Sequence, residues 1–163
     1  MIKIIPIAHY LFAITFSEYY SKADWQTWAD ERIMRQAKPE PWLIEVSLAN
    51  NVDGLSKVLS DQMISERESV KSMAPFSDVV IGYFYLKYLS KEISLYILLQ
   101  RSGEEADGGE GATRACEDYF FILNELEANK DLEQDSGFRM MIEELFEPLK
   151  CIALSQKEAL EKY

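Results

Sequence analysis

The sequence predicts an all-α protein: a single helical domain over residues 1–163, built from about seven or eight helices packed as antiparallel neighbours. A short strand over Met1–Ile7 is the alternative at the N-terminus. Three observations carry this expectation. Apolar residues recur at helical spacing in one segment after another. Residues that cap helices, and prolines that end them, stand between those segments. Glycine and proline are scarce, at seven and five, which is too few for a sandwich of many strands joined by tight turns. The chain is 48% hydrophobic, with nine Tyr, eight Phe and three Trp. A chain of this length buries about 70% of its unfolded surface, so the core needs no disulfide or structural metal.

The first segment, about Ile7 to Tyr20, is too apolar all round to lie on a surface. Its run from Ile4 to Phe16 follows Lys3, as a secretory leader would, but Pro6 and His9 interrupt it and no A-x-A-like site follows. A buried first element is expected instead. Ser21-Lys-Ala-Asp24 has capping-box spacing, and Trp25, Trp28, Ala29 and Ile33 then form an apolar stripe. Pro39 and Pro41 end that helix, and Pro41 suits the first position of the next. There Trp42, Leu43, Val46 and Ala49 form the buried face, and Asn50-Asn51 stops it.

Asp53 is the expected N-cap for the face Leu55, Val58, Leu59, Met63, with Ser65–Met73 as a helix tail or exposed connection. Ser77 is expected to cap the strongly apolar helix of Val80, Ile81, Phe84, Tyr85 and Tyr88. The stretch Val79 to Leu99 holds Lys87, Lys91 and Glu92 at its middle. It therefore reads as core rather than as a membrane span, which needs about 20 mostly apolar residues. Ser90 or Ser94 caps a helix running to Arg101. Ser102–Ala112, SGEEADGGEGA, reads as an exposed loop. Thr113 is expected to cap a helix with Cys116, Tyr119, Phe120, Leu123 and Leu126 on one face. In the last region Phe138, Met141, Leu145 and Phe146 face inward, and Pro148 kinks or breaks the helix.

Charge is unevenly distributed. Residues 103–148 hold three basic and fourteen acidic side chains, net −11, which equals the formal charge of the whole chain. Such a stretch is either a solvated face or an electronegative surface that attracts a basic partner. Nucleic acid is disfavoured as a partner, because binding it relies on Lys and Arg against phosphate.

No catalytic constellation is complete. A Ser/His/Asp or Cys/His arrangement would have to use His9, the only histidine, which sits in an apolar run and reads as a core residue. Cys116 and Cys151 set no disulfide framework and read as reduced, cytosolic thiols that pack as small hydrophobes. One His and two separated Cys leave no metal cage. The glycine-rich segment lacks P-loop spacing, and its acids do not follow the EF-hand pattern. The pairs Glu117/Asp118, Glu125/Glu127 and Glu143/Glu144 fall on polar helix faces. The chain is therefore expected to bind rather than to catalyse, without metal, cofactor or membrane, and its oligomeric state is left open.

Two stretches carry a resemblance. They are Trp25-Gln-Thr-Trp28-Ala-Asp-Glu31 with Pro41-Trp42-Leu-Ile-Glu-Val-Ser-Leu48, and Asp78-Val-Val-Ile-Gly82-Tyr-Phe-Tyr-Leu-Lys87 with Glu92-Ile-Ser-Leu95, Cys116-Glu-Asp-Tyr-Phe120 and Leu123-Asn-Glu-Leu126. They resemble small helical bacterial proteins similar to the immunity proteins of toxin–immunity and contact-dependent inhibition systems. The likeness covers about two thirds of the chain in outline, rests mostly on core-type residues, and transfers no active residue. It implies a cytoplasmic inhibitor that neutralises a basic toxin domain, in particular a nuclease, by direct contact. The charge count names Glu104, Glu105, Asp107, Glu117, Asp118, Glu125 and Glu127 as contact candidates, with Tyr119 as an anchor if it is exposed. A different class remains open: a helical adaptor or homo-oligomeric assembly protein binding through an aromatic surface drawn from Trp25–Trp42 and Tyr83–Tyr88.

Overall fold

The computed structural model describes residues 5–70, 72–109 and 111–163. Among them every regular element is helical: α1 (Ile7–Phe16), α2 (Lys22–Arg35), α3 (Pro41–Leu48), α4 (Val52–Ser69), α5 (Phe76–Leu89), α6 (Leu95–Gly108), α7 (Cys116–Ala128), a 3₁₀ turn over Lys130–Gln134, and α8 (Ser136–Lys162). The all-α expectation holds. Of the alternative strand over Met1–Ile7, residues 1–4 lie outside the described residues, and Ile7 already begins α1. The chain divides into two compact units, residues 1–73 with 156–163, and residues 74–155.

In the first unit, local chemistry sets most helix boundaries. Ser21 and Asp24 form the expected capping box at α2, and Pro41 occupies the first turn of α3. Asn51, rather than Asp53, caps α4: its side chain accepts from the Gly54 amide at 2.7 Å. An N-cap side chain accepts from the amide two or three residues on, and Asn51, just before the first helical residue, has that spacing to Gly54.

α1 has no cap from its own flank. Instead Glu66 of α4, only 6% exposed, accepts from the amides of Ala8 at 2.8 Å and His9 at 3.1 Å. The first amides of a helix lack intrahelical acceptors and carry positive dipole charge, so a carboxylate there is doubly favoured. Ser65–Met73, expected as a tail or exposed connection, thus holds an interior residue. His9 is half-buried rather than a core residue, bonding Glu66 through Nδ1 at 2.8 Å and accepting from Arg67 through Nε2 at 3.3 Å. At the other end of this unit, Trp28 donates to the Leu160 carbonyl at 2.9 Å. Arg32, 3% exposed, donates to the carbonyls of Leu160 at 2.9 Å and Glu161 at 3.0 Å, satisfying helix-end acceptors.

The second unit is built by close packing. α5 is buried almost all round from Ser77 to Tyr85, and its Tyr85 stacks on Phe146 of α8, centroids 5.1 Å apart, with Tyr119 of α7 at 5.7 Å from Phe146. A Cβ on Gly82 would stand 2.3 Å from the Leu149 carbonyl oxygen, so glycine lets α5 and α8 touch backbone to backbone. Ser77, at the start of α5, bonds Glu105 late in α6; Cys116, at the start of α7, bonds Asp107 at the end of α6. These two links make α5, α6 and α7 successive antiparallel neighbours.

Several expected boundaries move here. α6 does not stop at Arg101 but runs through the expected loop to Gly108. Ser102 and Gly103 are buried, and a Cβ on Gly103 would lie 2.5 Å from the Phe120 ring; tight packing against α7 overrides the poor helix propensity of glycine. Ser94 caps α6 through the Ile97 amide. Ser77 is not a cap; it lies inside α5, whose N-cap is Pro75. Thr113 does not cap α7 either. It turns away and gives both its amide, at 2.8 Å, and its hydroxyl to the buried carboxylate of Asp78. Pro148 does not end α8: it is exposed, and the helix continues past it to Lys162. Cys151, expected to pack as a hydrophobe, is exposed, and Cys116 is half-buried.

Candidate partner-binding surface

The acidic candidates fall on two antiparallel helices of the second unit and separate by role. Glu104 and Asp107 are exposed on α6. Glu105 is not: half-buried, it accepts from the Ser77 hydroxyl at 2.9 Å, and burial holds its carboxyl above the usual range while that hydrogen bond pulls the other way. Glu117 and Asp118 are exposed in the first turn of α7, where the helix dipole favours carboxylates. Glu117 is lowered by a hydrogen bond to the helix backbone and one from Cys116. Asp118 pairs loosely with Arg114 at 3.9 Å. Burial, then Glu117 and Asp107, pushes the Cys116 thiol up, so Cys116 serves as a donor to these acids.

Asp107, Glu117 and Asp118 therefore form one acidic group around the α6–α7 junction. Glu125 and Glu127 are exposed further along α7, about 10 and 14 Å along the axis from Asp118 at 1.5 Å of rise per residue. A hydrogen bond to Glu127 raises the Tyr96 phenol. The acidic surface continues on α8, where Glu143, Glu144 and Glu147 are all exposed.

Tyr119 cannot be an anchor. It is fully buried beside Phe146, its hydroxyl has no hydrogen-bond partner among the described residues, and burial followed by the nearby Asp78 pushes its phenol far up. Other apolar groups do reach this surface. Phe121, one step off the predicted apolar face, is 65% exposed, and Met141, expected to face inward, is 37% exposed. They flank a groove of about 300 Å³ between α7 and α8, with Ile122 and Leu145 beneath. Period alone cannot find it, because a groove depends on how far apart two helices lie.

No family model matches the chain, and neither does any curated protein or any solved structure. The surface must therefore be read from its own chemistry. Among the described residues no group of three or more His, Cys, Asp or Glu converges to hold a metal ion, and no helix is long and apolar enough to cross a membrane. The aromatic residues that an aromatic docking surface would need are mostly interior: Trp25, Trp28, Tyr83, Phe84 and Tyr85 are buried.

Proposed function

We propose that this chain is an immunity protein that neutralises a basic toxin, in particular a nuclease, by covering it with the acidic surface of α6–α8. The observation that supports this most is the confinement of the whole net charge of −11 to residues 103–148, with most of the carboxylates described there exposed. A nuclease holds nucleic acid on a basic surface, and an acidic inhibitor competes for that surface. Complementary fields raise association rates towards about 10⁸–10⁹ M⁻¹s⁻¹ at low salt, against about 10⁵–10⁶ for neutral pairs. Fast capture suits a cell that must meet its own toxin before damage is done. A helical adaptor or homo-oligomer using an aromatic surface has less support, since the aromatics it would use are mostly buried.

The test is purification of the chain with its partner from the native host, followed by association kinetics across a salt series. The expected partner is basic, and reversing Glu104, Asp107, Glu117 and Asp118 to Lys slows its association and flattens the salt dependence. An acidic partner, or rates indifferent to both salt and charge reversal, would reduce the acidic stretch to a solubilising face.

A further inference from the structure

The acidic surface carries an apolar cleft at its centre, and a charged surface with a cleft has more to recognise than charge alone. Between Cys116 and Pro148 the chain has ten acidic and two basic side chains, and nine of the ten carboxylates are exposed. Within this field lies the groove between α7 and α8. Its floor is Ile122 and Leu145, each 7% exposed, and its walls are Phe121 and Met141. Asp118, Glu144 and one cation, Arg114, stand at its rim, so its charge is net acidic. Arg114 lies loosely by Asp118, whereas Glu144 has no ion-pair partner among the described residues.

An exposed phenylalanine and an exposed methionine on one groove in the most acidic part of a chain need an account. Single exposed hydrophobics are ordinary, but an aromatic ring and a methionine facing one cleft over a buried apolar floor match the aromatic and Met enrichment found at the cores of protein interfaces. The cleft is at the lower end of volumes that take whole small ligands, about 300–1,000 Å³. It suits one protruding side chain. Hot spots take this form: a buried apolar anchor in a pocket, ringed by polar groups that exclude water.

We propose that the α7–α8 groove receives a single aromatic or large aliphatic side chain from a basic segment of a protein partner, whose lysines or arginines bond Glu144 and Asp118. This rests on the reading of the acidic surface as the docking face, and adds the anchor that fixes register on it. Charge decides the occupant. A second copy of this chain would bring carboxylates against carboxylates, and nucleic acid would bring phosphate against them. A basic protein segment satisfies rim and floor together.

The probe is a short fluorescein-labelled peptide of alternating lysine and alanine with one central phenylalanine, beside a twin with serine at the centre. Binding is followed by fluorescence polarisation at low salt, and the site is read from methyl resonances of methionine-labelled protein. Met34 on α2, 87% exposed, is the internal control. The phenylalanine peptide should bind about tenfold tighter than its twin, the gain expected from burying one aromatic side chain. It should shift the Met141 methyl saturably and leave Met34 unmoved. The double variant Phe121→Ser with Met141→Ser alters only exposed side chains, and circular dichroism checks its fold. It should erase the preference for phenylalanine while retaining the charge-driven affinity, whereas Glu144→Lys should weaken both peptides. Equal binding of the twins, both salt-sensitive, would overturn the groove and leave the acidic docking face standing. Failure of both peptides to bind at low salt would overturn the two readings together. Movement of the Met141 methyl with protein concentration alone, with a dimer in sedimentation, would make the occupant a second copy and overturn the proposal.

Discussion

The two units of this chain are stabilised by different means. The first, with ten basic and twelve acidic side chains, secures its helix ends with buried polar groups: Glu66 on the amides of α1, and Arg32 and Trp28 on the last carbonyls of α8. The second, with seven basic and sixteen acidic side chains, relies on packed aromatic rings and close backbone approach, with its surplus charge outside. A polar lock is specific to one geometry and fails when one partner is removed. A packed aromatic core tolerates a strongly charged exterior, because that exterior plays little part in holding the helices together.

Substitutions should expose this difference, most strongly at Gly82. In Gly82→Ala the new Cβ meets the Leu149 carbonyl at 2.3 Å and Ala153 Cβ at 2.9 Å. Backbone cannot swing aside as a side chain can, so α5 and α8 must separate, at a cost of about 3 kcal/mol in denaturant unfolding. A loss under about 1 kcal/mol would mean the second unit is looser than its packing indicates.

Next comes the polar lock of the first unit. Glu66→Ala strands the amides of Ala8 and His9 and should cost about 2 kcal/mol, the penalty of leaving buried donors unpaired. Glu66→Gln keeps one acceptor oxygen and should cost about half as much. Hydrogen exchange at Ala8 and His9 should quicken in both variants. Equal costs for alanine and glutamine would show that packing, not the bonds, holds α1.

Reversing Glu117 and Asp118 to Lys should disturb stability less than either change above, because both groups are exposed. The loss of favourable charge at the start of α7 should still be visible as a small fall in melting temperature. The larger effect should be about a tenfold slower association with a basic partner at low salt.

Glu105→Gln should have the smallest effect. Burial raises the folded carboxyl above its ordinary 4.5, so the protonated form is the one the fold prefers. Its contribution to stability is present below about pH 4.5 and is lost as the pH rises through the raised value. Glutamine keeps an acceptor for Ser77 without the charge. It should stabilise by less than about 0.5 kcal/mol at neutral pH, after allowance for solvent screening, and make no difference in acid. A destabilisation at neutral pH would show that the charged carboxylate contributes to the Ser77 bond.

Much of this was legible locally. The capping box at Ser21, Pro41 in the first turn of α3, a serine cap before α6 (Ser90 or Ser94, of which Ser94 serves) and the apolar faces of α7 and α8 are written in short-range spacing, since a cap and its amide lie within four residues. The helix ends after α1 and α5 were not. They close on Glu18 and Lys91, non-glycine residues at φ 64° and 66°, with the Tyr20 amide reaching Ile14 and the Glu92 amide reaching Lys87. No glycine marks these left-handed turns. Of the site, the acidic residues were visible as a count, but the inward turn of Glu105, the burial of Tyr119 and the exposure of Phe121 and Met141 were not.

The sequence alone determined the helical class and the place of the charge, because periodicity, capping and ionisation are properties of residues and their near neighbours. Only the tertiary structure decided that Glu66 caps a helix 58 residues away, that SGEEADG is helix rather than loop, and that α7 and α8 leave a groove. Those outcomes depend on distances between segments remote in the chain, where the burial of Gly103 against Phe120 or of Asp78 against Thr113 outweighs the local preferences of the residues involved.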